Sequence, residues 1–162
     1  ISFYQKLSEN FIKEFQDKVD WQWISCSQQL SENFIKEFKD KVSWYYISWY
    51  QILNENFIRK FLDKIDWEKI SRHQKLSEEF IREFKDKVDW NNISYYQKLN
   101  KNFIREFQDK INWKFLLKKY GYNLNIFNHK YNISFINYIS DYLEFDEFVN
   151  LALRLISLKA FN

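Results

Sequence analysis

Residues 30–44 read Leu-Ser-Glu-Asn-Phe-Ile-Lys-Glu-Phe-Lys-Asp-Lys-Val-Ser-Trp, and the phrase is written five times at a fixed interval of 23 residues. Trp21, Trp44, Trp67, Trp90 and Trp113 keep the period, as do the Ile-Ser pairs that begin at Ile1, Ile24, Ile47, Ile70 and Ile93. A constant period of this size means a repeat array, whose units bury their apolar faces only against one another. Five units can share a continuous core that none could build alone. The array spans 1–115, with units starting at 1, 24, 47, 70 and 93, and 116–162 does not continue it.

Ten of the 23 columns are identical in all copies: Ile, Ser, Gln, Leu, Phe, Ile, Phe, Asp, Lys and Trp, at positions 1, 2, 5, 7, 11, 12, 15, 17, 18 and 21 of the first. Two further columns vary within a narrow set, Ser8, Ser31, Asn54, Ser77, Asn100 and Asp20, Ser43, Asp66, Asp89, Asn112. All ten of these residues are of the kind that cap helix N-termini by accepting a bond from an orphaned backbone N–H. Two caps per unit predict two helices per unit: helix A over roughly 9–18 and helix B over roughly 21–29, with the same offsets in later copies.

On helix A, Phe11, Ile12, Phe15 and Val19 share one side, opposite Asn10, Lys13, Glu14 and Asp17. Glu14 and Lys18 form an i,i+4 pair. Leu7 with Ile12, and Val19 with Ile24, fit hydrophobic staples that set the entry of each helix without Gly or Pro. The invariant Ser and Gln of helix B, such as Ser25 and Gln28, are expected to form a ladder in which Gln bonds backbone or its equivalent in the next copy. Asp17, at a helix end that disfavours an acid, calls for a fixed partner such as a basic residue of an adjacent unit or a Trp N–H.

The fifth unit runs on through Lys118 and Lys119 to the only glycine, Gly121, which reads as a helix stop. An Asn-rich connector then leads to two expected helices, about 134–143 and 147–159, the second capped by Asp146. This tail is expected to close the stack as a helical C-terminal cap. The fold class is therefore all-α: two-helix tandem repeats stacked as an α-solenoid with a helical cap.

Composition narrows the functional classes. Twenty-five basic and 22 acidic residues are interleaved, for a net charge of +3, which is not the footprint of a dedicated nucleic-acid or anionic-membrane binder. Cys26 is the lone cysteine, so an intrachain disulfide and a cysteine zinc site are both out of reach, and an intracellular setting is the easier reading. The sequons at Asn92 and Asn132 are then chance matches. No apolar run long enough to span a bilayer occurs, so no membrane association is expected. His73 and His129 have no second ligand at metal spacing, and a single glycine rules out a Gly-rich phosphate loop, so no enzyme activity, metal or cofactor is expected. The chain holds no Met and opens inside a repeat, so residue 1 is not expected to be the natural start.

The pattern Ile-Ser-x-x-Gln-x-Leu-Ser-Glu-x-Phe-Ile-x-Glu-Phe-x-Asp-Lys-Val-Asp-Trp, as it stands in residues 70–90, resembles a short tandem repeat of uncharacterised proteins from mimivirus-like giant DNA viruses. The resemblance covers 1–113, and the Phe, Tyr, Ile, Asn and Lys bias agrees with an AT-rich genome. It implies a viral origin and a place in the host cytoplasm or the virion. It carries no activity and no site residues.

The columns that change freely are the two after each Trp and the two after each Ile-Ser, and on a helix starting at Trp they fall on one surface. A scaffold held constant with one face diversified is how a solenoid presents a ligand surface. Half of those twenty positions are aromatic, which is interface hot-spot material. The candidate partner-binding residues are Trp23, Tyr45, Tyr46, Trp49, Tyr50, Lys69, Arg72, His73, Tyr95 and Tyr96, with the densest group at 45–50. The expected function is a protein-interaction scaffold for an unidentified protein. Single-stranded nucleic-acid binding, with bases stacked on those rings, is the alternative, and the balanced charge counts against it. A third reading is an architectural protein that self-associates end to end through the uncapped first repeat.

Overall fold

The computed structural model describes residues 5–107 and 109–119, and the expected C-terminal helices, their Asp146 cap and the Gly121 stop lie outside them. The chain divides into two compact units, 1–97 and 98–162. The described residues of the first form eight short helices: α1 (Glu9–Glu14), α2 (Trp21–Ser27), α3 (Glu32–Glu37), α4 (Trp44–Tyr50), α5 (Glu55–Lys60), α6 (Trp67–His73), α7 (Glu78–Glu83) and α8 (Trp90–Tyr96). Those of the second form α9 (Lys101–Glu106) and α10 (Trp113–Lys119). Odd and even numbers are helices A and B of the repeat. Among the described residues the fold is all-helical, as the 23-residue period predicts.

Helices this short do not persist in water by themselves, so their stability has to come from packing between repeats. Helix B rows supply one line of contact, α2 on α4, α4 on α6 and α6 on α8. Trp supplies another. The Trp21 ring of α2 lies 4.9 Å from Phe38 and 6.2 Å from Phe34, and Trp44 and Trp67 clamp the A helices that follow them in the same way. The invariant isoleucines at Ile12, Ile24, Ile35, Ile47, Ile58, Ile70, Ile81 and Ile93 are fully buried. In the second unit Phe103, Ile104, Phe107, Ile111 and Leu116 repeat the buried pattern.

The invariant Gln is the main polar tie between repeats. Gln51 Nε2 donates to the carbonyls of Ser25 (3.0 Å) and Gln28 (2.7 Å), while its Oε1 accepts from the Leu30 N–H (2.9 Å). Gln74 and Gln97 make the same three bonds one and two repeats on. The expected ladder is therefore side chain to backbone. The invariant Ser serves a second tie: Ser25 Oγ donates to the Trp21 carbonyl (2.6 Å) and accepts from the Ser43 N–H (2.9 Å) at the start of α4. Both residue types are buried, and among the described residues no buried side-chain polar atom lacks a partner.

Helix A is shorter than expected, ending at Glu14 rather than near residue 18, and helix B ends at Ser27 rather than Gln29. The causes are the same side chains. Trp21 Nε1 donates to the Gln16 carbonyl (2.9 Å), and in the equivalent turns the N–H groups of Ser43, Asp66 and Asp89 go to Ser hydroxyls of the preceding B helix. Groups that would extend the helix are thus taken up by tertiary bonds, and the chain closes in a turn in which Lys18 N–H reaches the Phe15 carbonyl at 2.9 Å. Lys18 consequently lies beyond the helix and the i,i+4 geometry with Glu14 is absent. Asp17 sits in that turn too, where its partner is Lys41 of the next repeat at 3.1 Å, and Asp40 pairs likewise with Lys64 at 3.6 Å. Lys13 with Glu37 and Arg59 with Glu83 add further links between repeats. Exposed pairs of this kind contribute little each.

Nine of the ten expected caps accept a backbone N–H from the helix they start. Ser43 does not, although it occupies the cap position of α4. The reason is reach. Helix A caps have ψ of 151 to 166, at which Ser is long enough, whereas helix B caps sit near ψ 106 to 108, where the longer Asp side chain closes the bond and Ser falls short. Ser43→Asp is expected to stabilise the chain by about 1 kcal/mol, the usual value of a side-chain cap, read as a higher urea midpoint with an unchanged slope.

One tie has no counterpart in the sequence reading. The Glu9 carboxylate accepts from the backbone N–H of Ser31 and from its hydroxyl (3.0 Å), Glu32 accepts from the backbone N–H and the side-chain amide Nδ2 of Asn54, and Glu55 accepts from the Ser77 N–H at 2.6 Å. Helices α1, α3 and α5 thereby each anchor the start of the next A helix. The fifth copy, which no sixth follows, carries Lys101 in this column instead of Glu.

Candidate functional site

The freely varying columns lie along the B-helix row. Phe-Ile and Ile-Ser columns consume the inner side of each helix, leaving the residues after Trp and after Ile-Ser at the outer edge, half-buried or exposed. On α4 the two i,i+4 pairs close as expected: Tyr45 meets Trp49 edge-on at 5.6 Å, and Tyr46 lies 6.2 Å from Tyr50. Trp49 and Tyr50 are stacked at 5.0 Å with only 9° between their planes.

Contacts between repeats extend this cluster. His73 of α6 stacks on Trp49 at 5.7 Å, and the Arg72 guanidinium lies 5.0 Å from the ring centre of Tyr96 on α8. In both cases the first residue after Ile-Ser touches the second residue after Ile-Ser of the next repeat, so the side chains form a diagonal ribbon across α4, α6 and α8. Tyr95 joins it by an edge-on contact with Tyr96 at 4.7 Å. The ribbon gathers eight of the candidate residues, Tyr45, Tyr46, Trp49, Tyr50, Arg72, His73, Tyr95 and Tyr96. Trp23 stands one helix earlier, half-buried on α2.

Lys69 has a different place from the one its sequence position suggests. Its ammonium lies 5.0 Å from the Trp49 ring and 5.4 Å from Tyr45, bonds Glu68 at 2.9 Å, and the side chain is only 13% exposed. The hydrogen bond to Glu68 holds its pKa above the ordinary lysine value. Lys69 is thus a structural cation that fills the aromatic cage and braces it, rather than a free charge at the surface. Arg72 is the reverse: its guanidinium is stacked on Tyr96 and exposed, and among the described residues no acid pairs with it.

Burial against its neighbours, followed by the charges of Arg72 and Lys69, lowers the His73 pKa below its ordinary 6.5. The ring is neutral at pH 7, which suits stacking on Trp49. The unfolded chain takes up this proton more readily, so the contribution of His73 to stability is present above pH 6.5 and is lost as the pH falls from there through the folded value. An NMR titration is expected to place the His73 midpoint below 6.5 and to move it upward in Arg72→Gln.

Ile52, two residues past the end of α4, is a further apolar residue at the surface that the sequence pattern did not single out, and it is 86% exposed. Its column holds Lys or Gln in the other four copies, so the signal was a lone apolar residue in a polar column. Among the described residues, three of the six exposed large hydrophobics fall within 45–52, which centres the apolar surface on α4.

Among the described residues no group of three or more His, Cys, Asp or Glu could hold a metal ion, and no helix is long and apolar enough to cross a membrane. No family model, curated protein or solved structure matches this chain.

Proposed function

We propose that this chain is a non-catalytic protein-interaction scaffold whose binding face is the aromatic ribbon of the B-helix row, centred on Tyr45, Tyr46, Trp49, Tyr50 and Ile52. The observation that carries the reading is the division of labour among columns. Invariant residues are spent on bonds between repeats, whereas the variable residues after Trp and Ile-Ser gather Tyr, Trp and Arg at the surface. Those three residue types dominate interface hot spots. The resemblance to repeats of giant DNA viruses supports a viral origin and a partner in an infected cell.

Single-stranded nucleic acid is the weaker reading. Stacking platforms of that class run beside a groove of cations that tracks the phosphates. Here Lys69 is committed to Glu68 and the aromatic cage, leaving Arg72 as the exposed cation of the ribbon.

The test is site-specific photo-crosslinking in infected-cell lysate, with a photoreactive phenylalanine analogue placed at Tyr50 or, as the control, at Lys36 on the A-helix row. A discrete protein adduct from position 50 and none from 36 is the expected result. Equal adducts from both positions, or a nuclease-sensitive adduct from 50, would defeat the proposal. The architectural alternative makes its own forecast, a solution mass that climbs with concentration and is indifferent to Trp49→Ala.

A further inference from the structure

We propose that the partner segment recognised by this face is acidic and apolar, presenting a carboxylate to Arg72 while a neighbouring aromatic or aliphatic side chain lies against the Trp49–Tyr50 step. The proposal rests on the aromatic ribbon being a protein-binding surface and adds the chemistry of what it binds.

Arg72 carries the argument. Lys69, the ribbon's other cation over aromatic rings, is paired with Glu68. Arg72 has the ring of Tyr96 beneath it at 5.0 Å and, among the described residues, forms no ion pair. Arg59 is matched: it lies 4.9 Å from the Phe80 ring and is bonded through Nε and Nη2 to Glu83 at 3.0 and 2.8 Å. Among the described residues an arginine over an aromatic ring thus has its carboxylate at Arg59 and has none at Arg72. Stacking restricts the guanidinium plane, so less freedom remains to be lost when its fork of N–H donors meets a carboxylate in the bidentate manner.

The surroundings fit the second half of the segment. His73, next in sequence to Arg72, stacks on Trp49, and Trp49 stacks in turn on Tyr50. Cation and apolar step are therefore joined through consecutive residues of α6, Arg72 over Tyr96 of α8 and His73 over Trp49 of α4. Burial is the main cause of the lowered His73 pKa, and the further lowering by Arg72 and Lys69 agrees with a positive potential there.

The test is selection of phage-displayed random peptides on the full chain, followed by anisotropy titrations of the enriched peptides. The expected outcome is enrichment of peptides that place Asp or Glu within a few residues of an aromatic or aliphatic side chain. Arg72→Gln should weaken them about tenfold or more, the worth of a charge-assisted bond, and Arg72→Lys should restore only part of the loss. Arg72 is exposed, so both variants should keep the wild-type circular dichroism. Peptides that require Trp49 but carry no acid, or that tolerate Arg72→Gln, would overturn this inference and leave the scaffold reading standing. Failure to enrich any peptide that depends on Trp49 would overturn both. Binding of a thymidine oligonucleotide that depends on Arg72 and displaces the peptides would overturn both in favour of nucleic acid.

Discussion

Gln51→Leu is expected to cost about 3–5 kcal/mol, although the substitution preserves side-chain bulk and removes a polar group from the interior. The carboxamide serves three buried backbone partners at once, the Leu30 N–H and the Ser25 and Gln28 carbonyls. Leucine satisfies none of them, and each group left unpaired away from water forfeits about 1–3 kcal/mol. Against a typical total of about 5–15 kcal/mol this is a large fraction. Gln28→Leu is the internal control: its partners, the Leu7 N–H and the Gln5 carbonyl, are only part-buried and can turn to water, so the loss should be about 1–2 kcal/mol. Because Gln51 ties the third repeat to the second, hydrogen exchange in the variant should rise first in residues 5–46, separating what unfolds together in the wild type.

Trp44→Ala comes second, at about 2–4 kcal/mol, below the full value for a buried tryptophan because the ring is half-buried. The ring holds α5 through Phe61 at 4.8 Å and Phe57 at 6.3 Å, and its Nε1–H closes the turn after α3 on the Lys39 carbonyl at 2.7 Å. Trp44→Phe separates the two roles. It keeps an aromatic surface and frees an exposed carbonyl that water can serve, so it should cost about 1 kcal/mol. Urea unfolding of the pair measures both. Equal losses would mean that the hydrogen bond, and not the packing, is what the invariant Trp provides.

The period, the helix pairs and the Gln ladder were readable because they are written into single columns repeated five times. Column identity revealed that Gln28 and Ser25 were structural, and cap residues marked the starts of helices well. Helix ends were harder. Sequence stop signals are Gly and Pro, and this array stops its A helices by handing the Gln16 carbonyl to an indole and the next cap's N–H to a Ser hydroxyl from another helix. Such bonds leave no local trace. Glu9 was hidden for a similar reason, since a first-turn acid is normal in any helix and only its reach to Ser31 shows the link between repeats. The absence of Glu from the fifth copy was the available signal.

At the candidate face, residue type and placement were legible while charge balance was not. Sequence spacing put Tyr45, Tyr46, Trp49 and Tyr50 together on one turn and a half of helix, as found. It could not distinguish Lys69, whose ammonium turns back into the cage, from Arg72 three residues later, which stays exposed over Tyr96. Those fates depend on rings one repeat away in opposite directions. Ile52 escaped because it lies past the end of α4, outside the columns that define the face.

Affinity retention decides whether the aromatic ribbon binds a protein. Wild-type chain and a Tyr46→Ala, Trp49→Ala, Tyr50→Ala variant, first matched for helicity by circular dichroism, are immobilised and exposed to the same infected-cell lysate. Retention of a defined protein by the wild type and its loss, by about a hundredfold or more, from the variant is the predicted result, as expected when hot-spot aromatics are removed. Retention of the same material by both chains would contradict the claim and return those aromatics to the role of packing.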